Sequence, residues 1–333
     1  MTAMDMTVRS SRFNRIYLLV LLVVCLLVLL VGALCGGAGC YLPSDDSLLI
    51  LQLRMPRALA AFAVGALLSL AGALMQLLLR NPLADPYVLG VSGGAAAGAL
   101  SFSLLLPASA AAYSLQSGAL LGALAATALL LILARRSFLN EIAMDSGSTG
   151  IRLILTGVMI SAGFGALITV LLVLSPDAQM RGTLFWLMGE LDSPDFVISA
   201  WLVLLLACAW SLAKANALNV LSHGEVTAHL LGLSVRRLQV SLLLVASIST
   251  AAAVAVAGTI GFIGLVVPHA LRLVMGNDQR VLLPASALSG GIVLTLADLL
   301  ARSIAAPTQL PVGVITALIG VPVFLVLLAR SRS

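Results

Sequence analysis

Residues 16–39 read IYLLVLLVVCLLVLLVGALCGGAG, a run with no charged position. As a helix rising 1.5 Å per residue, it is long enough to cross the ~30 Å hydrocarbon layer of a bilayer. Inside lipid the chain must satisfy its own backbone hydrogen bonds, which leaves helix bundles or closed barrels. A barrel strand alternates apolar and polar at every second position. This run is continuous in Leu, Val and Ala, so it reads as a helix. It exceeds the 7–15 residue apolar core of a secretory signal and lacks an A-x-A-like exit. The residues before Cys35 and Cys40 make no good lipoprotein site either. It is expected to be a retained first span.

Comparable runs recur to the end of the chain, over 57–79, 88–106, 114–134, 153–174, 196–213, 238–257, 260–274, 281–301 and 312–329. The composition agrees: 61% of the 333 residues are hydrophobic and 9% charged, against about 25% charged in a soluble domain. The expected fold is all-α, a polytopic transmembrane bundle of about ten spans forming one domain, 1–333, with the lipid bilayer as its solvent. The stretch 260–274 is short and contains Pro268, so it is expected to be tilted, broken or only partly buried.

Ten spans put both termini on one side, and the 18 basic residues test this. With a cytoplasmic N-terminus, Arg9, Arg12, Arg15, Arg80, Arg135, Arg136, Arg152, Lys214, Arg236, Arg237, Arg272, Arg280, Arg330 and Arg332 fall inside. Only Arg54, Arg57, Arg181 and Arg302 fall outside, a strong positive-inside asymmetry that a shift of one span would destroy. The net charge of +5 is scattered between apolar runs without a basic face. Nucleic acid is therefore not an expected partner.

Between the fifth and sixth spans, Thr183–Met188 suits a small helix at the outer surface, with Trp186 in the interfacial layer. The inside connection from Lys214 to Arg237 carries apolar residues at helical spacing, interrupted by His223-Gly224 and Gly232. It reads as two short helices, either an ordinary interfacial loop or a docking surface for a cytoplasmic partner.

No catalytic constellation is legible. A phosphate-binding loop needs a Gly-rich turn and a lysine, but Lys214 is the sole lysine and has no such turn before it. Metal-ligand spacings are also missing, and His223, His229 and His269 are dispersed, so their roles read as structural. Cys25, Cys35, Cys40 and Cys208 show no C-x-x-C spacing and read as packing residues. Span interiors hold few ionisable groups. Asp298 is the main exception, and its i, i+4 spacing to Arg302 allows a pair.

A chain with neither a coupling carboxylate nor an ATP site is expected to take its energy from a partner. Small residues at Gly65, Ser69 and Gly72, and at Gly157, Ser161, Gly163 and Gly165, read as close helix packing, with pore lining as the alternative. Gln76, Thr156 and Thr316 are candidates for a weakly polar pathway. The two prolines of Arg80-Asn-Pro-Leu-Ala-Asp-Pro86 end one helix and mark an irregular turn into the third span.

At these residues the chain resembles the permease subunits of type II ABC importers for ferric siderophores, haem and vitamin B12. The shared features run in order along nearly the whole chain. They begin with Arg54-Met-Pro-Arg57, Gly65–Gln76, Arg80-Asn-Pro-Leu-Ala-Asp-Pro86 and Leu89-Gly-Val-Ser-Gly-Gly94. Leu155-Thr-Gly-Val158, Phe185-Trp-Leu-Met-Gly189, Leu231-Gly-Leu233 and Gly261-Phe-Ile-Gly-Leu-Val-Val-Pro-His269 follow. Arg280-Val-Leu-Leu-Pro284, Ala297-Asp-Leu-Leu-Ala-Arg302 and Leu310-Pro-Val-Gly-Val-Ile-Thr-Ala317 complete the series.

The resemblance implies a homodimer in the bacterial inner membrane, with one path at the dimer axis. Two cytoplasmic ATPases would carry the ATP and magnesium, this chain holding no cofactor, and a periplasmic binding protein would deliver the metal chelate. Arg54, Arg57 and Arg302 match exposed arginines that meet the binding protein's glutamates. Arginine suits that role because it holds a carboxylate in a bidentate pair.

Residues 218–234 look like the coupling helices, with Glu225, Leu231, Gly232 and Leu233 in the most family-like part. Asn81 and Leu83 match one cytoplasmic gate, and Thr149, Gly150 and Ile151 lie at a second. There Gly150-Ile151 departs from the threonine-serine pair of the vitamin B12 permease, which weakens a specific B12 assignment and leaves it open. The main alternative is a secondary transporter or channel working without an ATPase, and a membrane-embedded enzyme is a more distant one.

Overall fold

The computed structural model describes residues 3–36, 39–40, 50–106, 111–139, 146–191 and 196–330. Over these the chain is a helical bundle. In chain order the helices are α1 (Ala3–Leu34), α2 (Met55–Leu78), α3 (Val91–Leu105), α4 (Ala111–Leu139), α5 (Ser146–Leu174) and α6 (Asp177–Leu187). They continue with α7 (Val197–Ser222), α8 (Glu225–Leu230), α9 (Val235–Ala257), α10 (Ile263–Met275), α11 (Gln279–Ser303) and α12 (Val312–Arg330). Each of the ten expected spans coincides with a helix. Eight are long and apolar enough to cross a membrane, while α3 and α10 are shorter apolar helices.

At the centre stands α2, buried along nearly its whole length. Glycine is what admits its neighbours. A Cβ at Gly65 would overlap the carbonyl of Gly290 in α11, and one at Gly72 the carbonyl of Gly264 in α10. In lipid, where apolar burial between helices gains little, such backbone approach is the main source of packing energy. The same device joins α3 to α4: Gly94 and Gly98 face Gly118 and Gly122 in reciprocal contact. The expected intramolecular packing of Gly65, Ser69 and Gly72 therefore holds. Phe62 of α2 stacks on Trp201 of α7 at 5.6 Å between centroids.

Three expectations need correction. First, α7 does not stop near residue 213 but continues as one helix to Ser222. The polar residues Lys214, Asn216 and Asn219 do not break the helix, since no Gly or Pro occurs before Gly224. Its 26 residues span about 39 Å, more than the hydrocarbon needs. Of the two short helices expected over 214–237, only α8 is separate.

Second, Trp186 is buried within the chain. The small helix α6 exists, but its C-terminal end is pressed against Gly258, the residue that ends α9, where a Cβ would overlap the carbonyl of Trp186. Third, Cys35 is disulfide-bonded rather than merely packed. It begins a two-residue antiparallel pair that sets Cys40 opposite it.

Pro268 lies inside α10 without ending it. Proline has no N–H for the carbonyl four residues earlier, here that of Gly264. The amide of Gln76 in α2 approaches this carbonyl at 3.5 Å and donates to that of Leu265 at 3.0 Å. Gln76 also accepts from Arg272 at 2.9 Å. Buried and committed to α10, it acts as a tie between helices.

Candidate functional site

The site residues gather at the two ends of the bundle. At one end, Asp298 of α11 is fully buried between two arginines. Arg57 approaches Oδ1 at 3.0 Å through both Nε and Nη2, and Arg302 approaches Oδ2 at 3.0 Å through Nε. The i, i+4 pair expected from sequence is present, and Arg57 doubles it from 241 residues away. Arg57 also donates to Gln309 at 2.7 Å.

The remaining donors meet the C-terminus of α1. Arg54 Nη1 donates to the carbonyl of Leu34 at 2.8 Å, and Arg302 Nη2 approaches that of Gly32 at 3.4 Å. The last carbonyls of a helix lack intrahelical partners and carry its negative dipole end. Helix α1 has no basic residue in its own last turn, so these arginines supply the cap. Arg54 and Arg302 are accordingly buried, and Arg57 keeps only 12% of its side chain exposed. The three arginines expected on an open surface are thus drawn together in one internal network.

At the opposite end, α2 runs into the turn that carries Asn81 and Leu83. The side chain of Asn81 accepts from the N–H of Leu83 at 2.9 Å, and its carbonyl from Ala84 at 3.0 Å. Asp85 then caps the short turn Pro86–Leu89, accepting from Tyr87 N at 2.8 Å. Burial pushes the Asp85 carboxyl up to about 6, and the Tyr87 hydrogen bond pulls the other way. Thr149, Gly150 and Ile151 lie in the first turns of α5, but their side chains fall outside the described residues.

Nearby, α8 begins at Glu225, whose carboxylate accepts from Gln239 of α9 at 3.0 Å. Leu233 packs on the core, whereas Leu231 is 65% exposed and Gly232 has open space around it, among the described residues. Leu230, 80% exposed, and Val226, 50% exposed, belong to the apolar pattern read over 218–234 but do not stand out in it as site residues. Sequence reading missed the tie beneath them. Asn219 of α7 donates to Asp278 at 2.7 Å and accepts from Gln279 N at 2.7 Å, while Arg280 reaches Asn216 at 2.6 Å. This fastens the protruding end of α7 to the start of α11.

Between the two ends, α5 shows two different faces. Gly157 packs so closely on the turn at Val88 and Leu89 that a Cβ would collide. At Gly163 and Gly165, by contrast, nothing lies within 4 Å of where a Cβ would stand, among the described residues. Packing within the chain, expected for all three, fits only Gly157. An apolar groove of ≈ 690 Å³ runs beside this face, lined by Leu129 and Leu133 of α4 and by Leu155, Thr156, Met159 and Phe164 of α5. Of the three uncharged polar candidates, Thr156 alone reaches this groove; Gln76 and Thr316 are buried.

The model of the FecCD transport family matches residues 19–330. The chain belongs to that family. It is 43% identical over 290 residues to the hemin transport system permease protein HmuU of Yersinia pestis, covering 85% of this chain and 83% of that one. It is 39% identical over 335 residues to the vitamin B12 import system permease protein BtuC of Photorhabdus laumondii, covering 98% and 97%. A solved structure described as a metal-chelate type ABC transporter in an inward-facing conformation superposes with TM-score 0.83 at 29% identity, covering 94% of this chain and 99% of that one. This FecCD member is therefore a multi-pass membrane protein of the type II ABC importer permease family. The arginine network, the Asn81–Leu83 turn, α8 and the open face of α5 are its candidate working parts.

Proposed function

We propose that the chain is one of two identical permease subunits in a bacterial inner-membrane importer, moving a bulky metal chelate into the cytoplasm by alternating access. On this reading it has ten spans, with both termini in the cytoplasm. Two partner ATPases hold the ATP and magnesium, and this chain contributes no catalytic residue. A periplasmic binding protein docks at the end of the bundle that Arg54, Arg57 and Arg302 hold together, on the surface around their network. The relatives named for hemin and vitamin B12 make haem and cobalamin the first chelates to test, with a ferric siderophore beside them.

The observation that carries this reading is the open face of α5. A helix facing lipid gains nothing from bare Gly163 and Gly165, whereas a helix facing a second copy across a passage gains width. Few fixed charges in that passage suit release of the cargo, and tight binding of chelate to the isolated permease would count against it. Orientation has two independent supports. The distribution of basic residues favours an outside position for the Arg54, Arg57 and Arg302 end, and the disulfide at Cys35, beside that end, suits an oxidising compartment.

At the cytoplasmic end, the exposed apolar side chains of Val226, Leu230 and Leu231 form the seat for the ATPase. Leu230→Glu and Leu231→Glu are expected to reduce co-purification of the ATPase at least several-fold, since a charge is then buried without a partner. Undiminished co-purification would place the seat elsewhere. The reading as a whole is tested by uptake into vesicles containing this chain, with and without the ATPase, the binding protein and internal ATP. Uptake that needs all three supports it. Uptake by this chain alone would favour a secondary transporter or channel instead.

A further inference from the structure

Helix α2 ends in a turn built for glycine but occupied by arginine. The N–H of Asn81 donates to the carbonyl of Gln76 at 3.2 Å, and that of Arg80 approaches the carbonyl of Leu77 at 3.4 Å. These are the two bonds of a Schellman cap, whose turning residue adopts the left-handed conformation and is usually Gly. Arg80 holds φ at +46°, a conformation that costs a side-chain-bearing residue free energy. Such an outlier persists where the surrounding structure over-determines it, and it is a lead to function.

Among the described residues the Arg80 side chain engages Glu225. Its Nη2 lies 3.4 Å from Oε1 of Glu225, the first residue of α8, with 34% and 26% of the two side chains exposed. The same oxygen accepts from Gln239 of α9. Glu225 therefore joins three elements: the end of α2, the short helix α8 and the start of α9. The residue that follows Arg80 is Asn81, whose side chain and carbonyl shape the turn through Leu83 and Ala84. A displacement of α8 that pulls on Glu225 is delivered to the backbone of Arg80, one peptide unit before that turn. A half-exposed pair is weak enough to be remade in each cycle. A buried staple is not.

We propose that Arg80 and Glu225 are the link through which movement of α8, seated on the ATPase, reaches the Asn81–Leu83 gate. This deepens the importer reading and rests on it. Arg80 acts as a positioning residue: it touches neither cargo nor nucleotide, and its left-handed backbone is retained for the sake of its side chain.

The test uses the full complex of permease, ATPase and binding protein in vesicles, with haem, a ferric siderophore and cobalamin as probes. The readout is probe molecules delivered per ATP hydrolysed. Arg80→Gly keeps the turn and removes the side chain. Its thermal midpoint is expected at or above that of the unaltered chain, with the ATPase still bound. Delivery per ATP is expected to fall about five-fold, the factor corresponding to an exposed ion pair of ~1 kcal/mol. A merely structural arginine would lower the midpoint and leave the ratio intact.

Arg80→Glu and Glu225→Arg are each expected to uncouple similarly, and the two together to recover most of the ratio. An unchanged ratio in Arg80→Gly, or a double variant no better than the single ones, overturns the link. Both outcomes are distinct from failure of the importer reading, which shows as an unaltered chain that binds no ATPase and takes up no probe.

Discussion

Asp298→Asn is expected to cause the largest loss of stability of any polar substitution in this chain, about 3–5 kcal/mol for uncovering buried charge. The magnitude follows from arrangement. One carboxylate, fully buried, faces Arg57 on one oxygen and Arg302 on the other. Removing its charge leaves two guanidinium groups without their shared counter-ion in a poorly hydrated site. It also loosens the arginine that approaches the carbonyl of Gly32. Helix α1 buries little of its own surface against the bundle, and at this end the arginine network adds to the close approach of Gly32 to Thr295 and Ala58.

Arg302→Met is expected to cost less, because Asp298 then keeps Arg57 and methionine fills much of the vacated volume. The check is thermal unfolding of the detergent-purified chain, comparing the two variants. A midpoint for Asp298→Asn equal to that of the unaltered chain would show that the network contributes nothing. A lower midpoint for Arg302→Met than for Asp298→Asn would show that the arginine's bond to α1, not the shared counter-ion, holds the cluster.

This network shows how far the sequence was legible. Asp298 and Arg302 stand at i, i+4, so one helical turn is enough to foresee their contact. Nothing local to Arg57 points to Asp298, because that contact depends on α2 lying beside α11. The apolar runs were legible for the same reason as the i, i+4 pair: the ~30 Å of hydrocarbon makes each span a local property. Where the chain leaves hydrocarbon, legibility fails. The polar end of α7 continues its helix past Lys214 because only a glycine or proline would have stopped it. Trp186 looks interfacial by composition, yet it is buried, at a close approach of its backbone to Gly258 that local sequence does not reveal. Cys35 gave no spacing signal, since its pairing depends on how the chain turns after α1.

Small residues mark the sharpest limit. Gly72 and Gly163 both sit in apolar helices among other small residues, and their local sequences do not distinguish them. In the structure one is pressed on a backbone and the other faces open space. Their replacements are therefore expected to diverge. Gly72→Leu drives a side chain into the carbonyl of Gly264, where overpacking costs typically 1–3 kcal/mol even when neighbours can shift. Here the obstacle is α10 itself. Little folded protein is expected, with a strongly lowered midpoint in whatever is recovered.

Gly163→Leu finds open space at its Cβ among the described residues, has the groove for the rest of its side chain, and replaces glycine by a better helix former, a gain of roughly 0.5–1 kcal/mol. Its midpoint is expected at or above that of the unaltered chain. Uptake is where it fails: if the open face of α5 borders the passage between two copies, the added side chain narrows it. Transport is then expected to drop at least ten-fold with the complex fully assembled, and Gly163→Trp to abolish it. Full uptake by a well-assembled Gly163→Trp complex would turn that face of α5 toward lipid and remove the main support for the proposed passage. The contrast separates packing from function at two positions with the same residue type, because among the described residues Gly72 presses on a neighbour in its own chain and Gly163 does not.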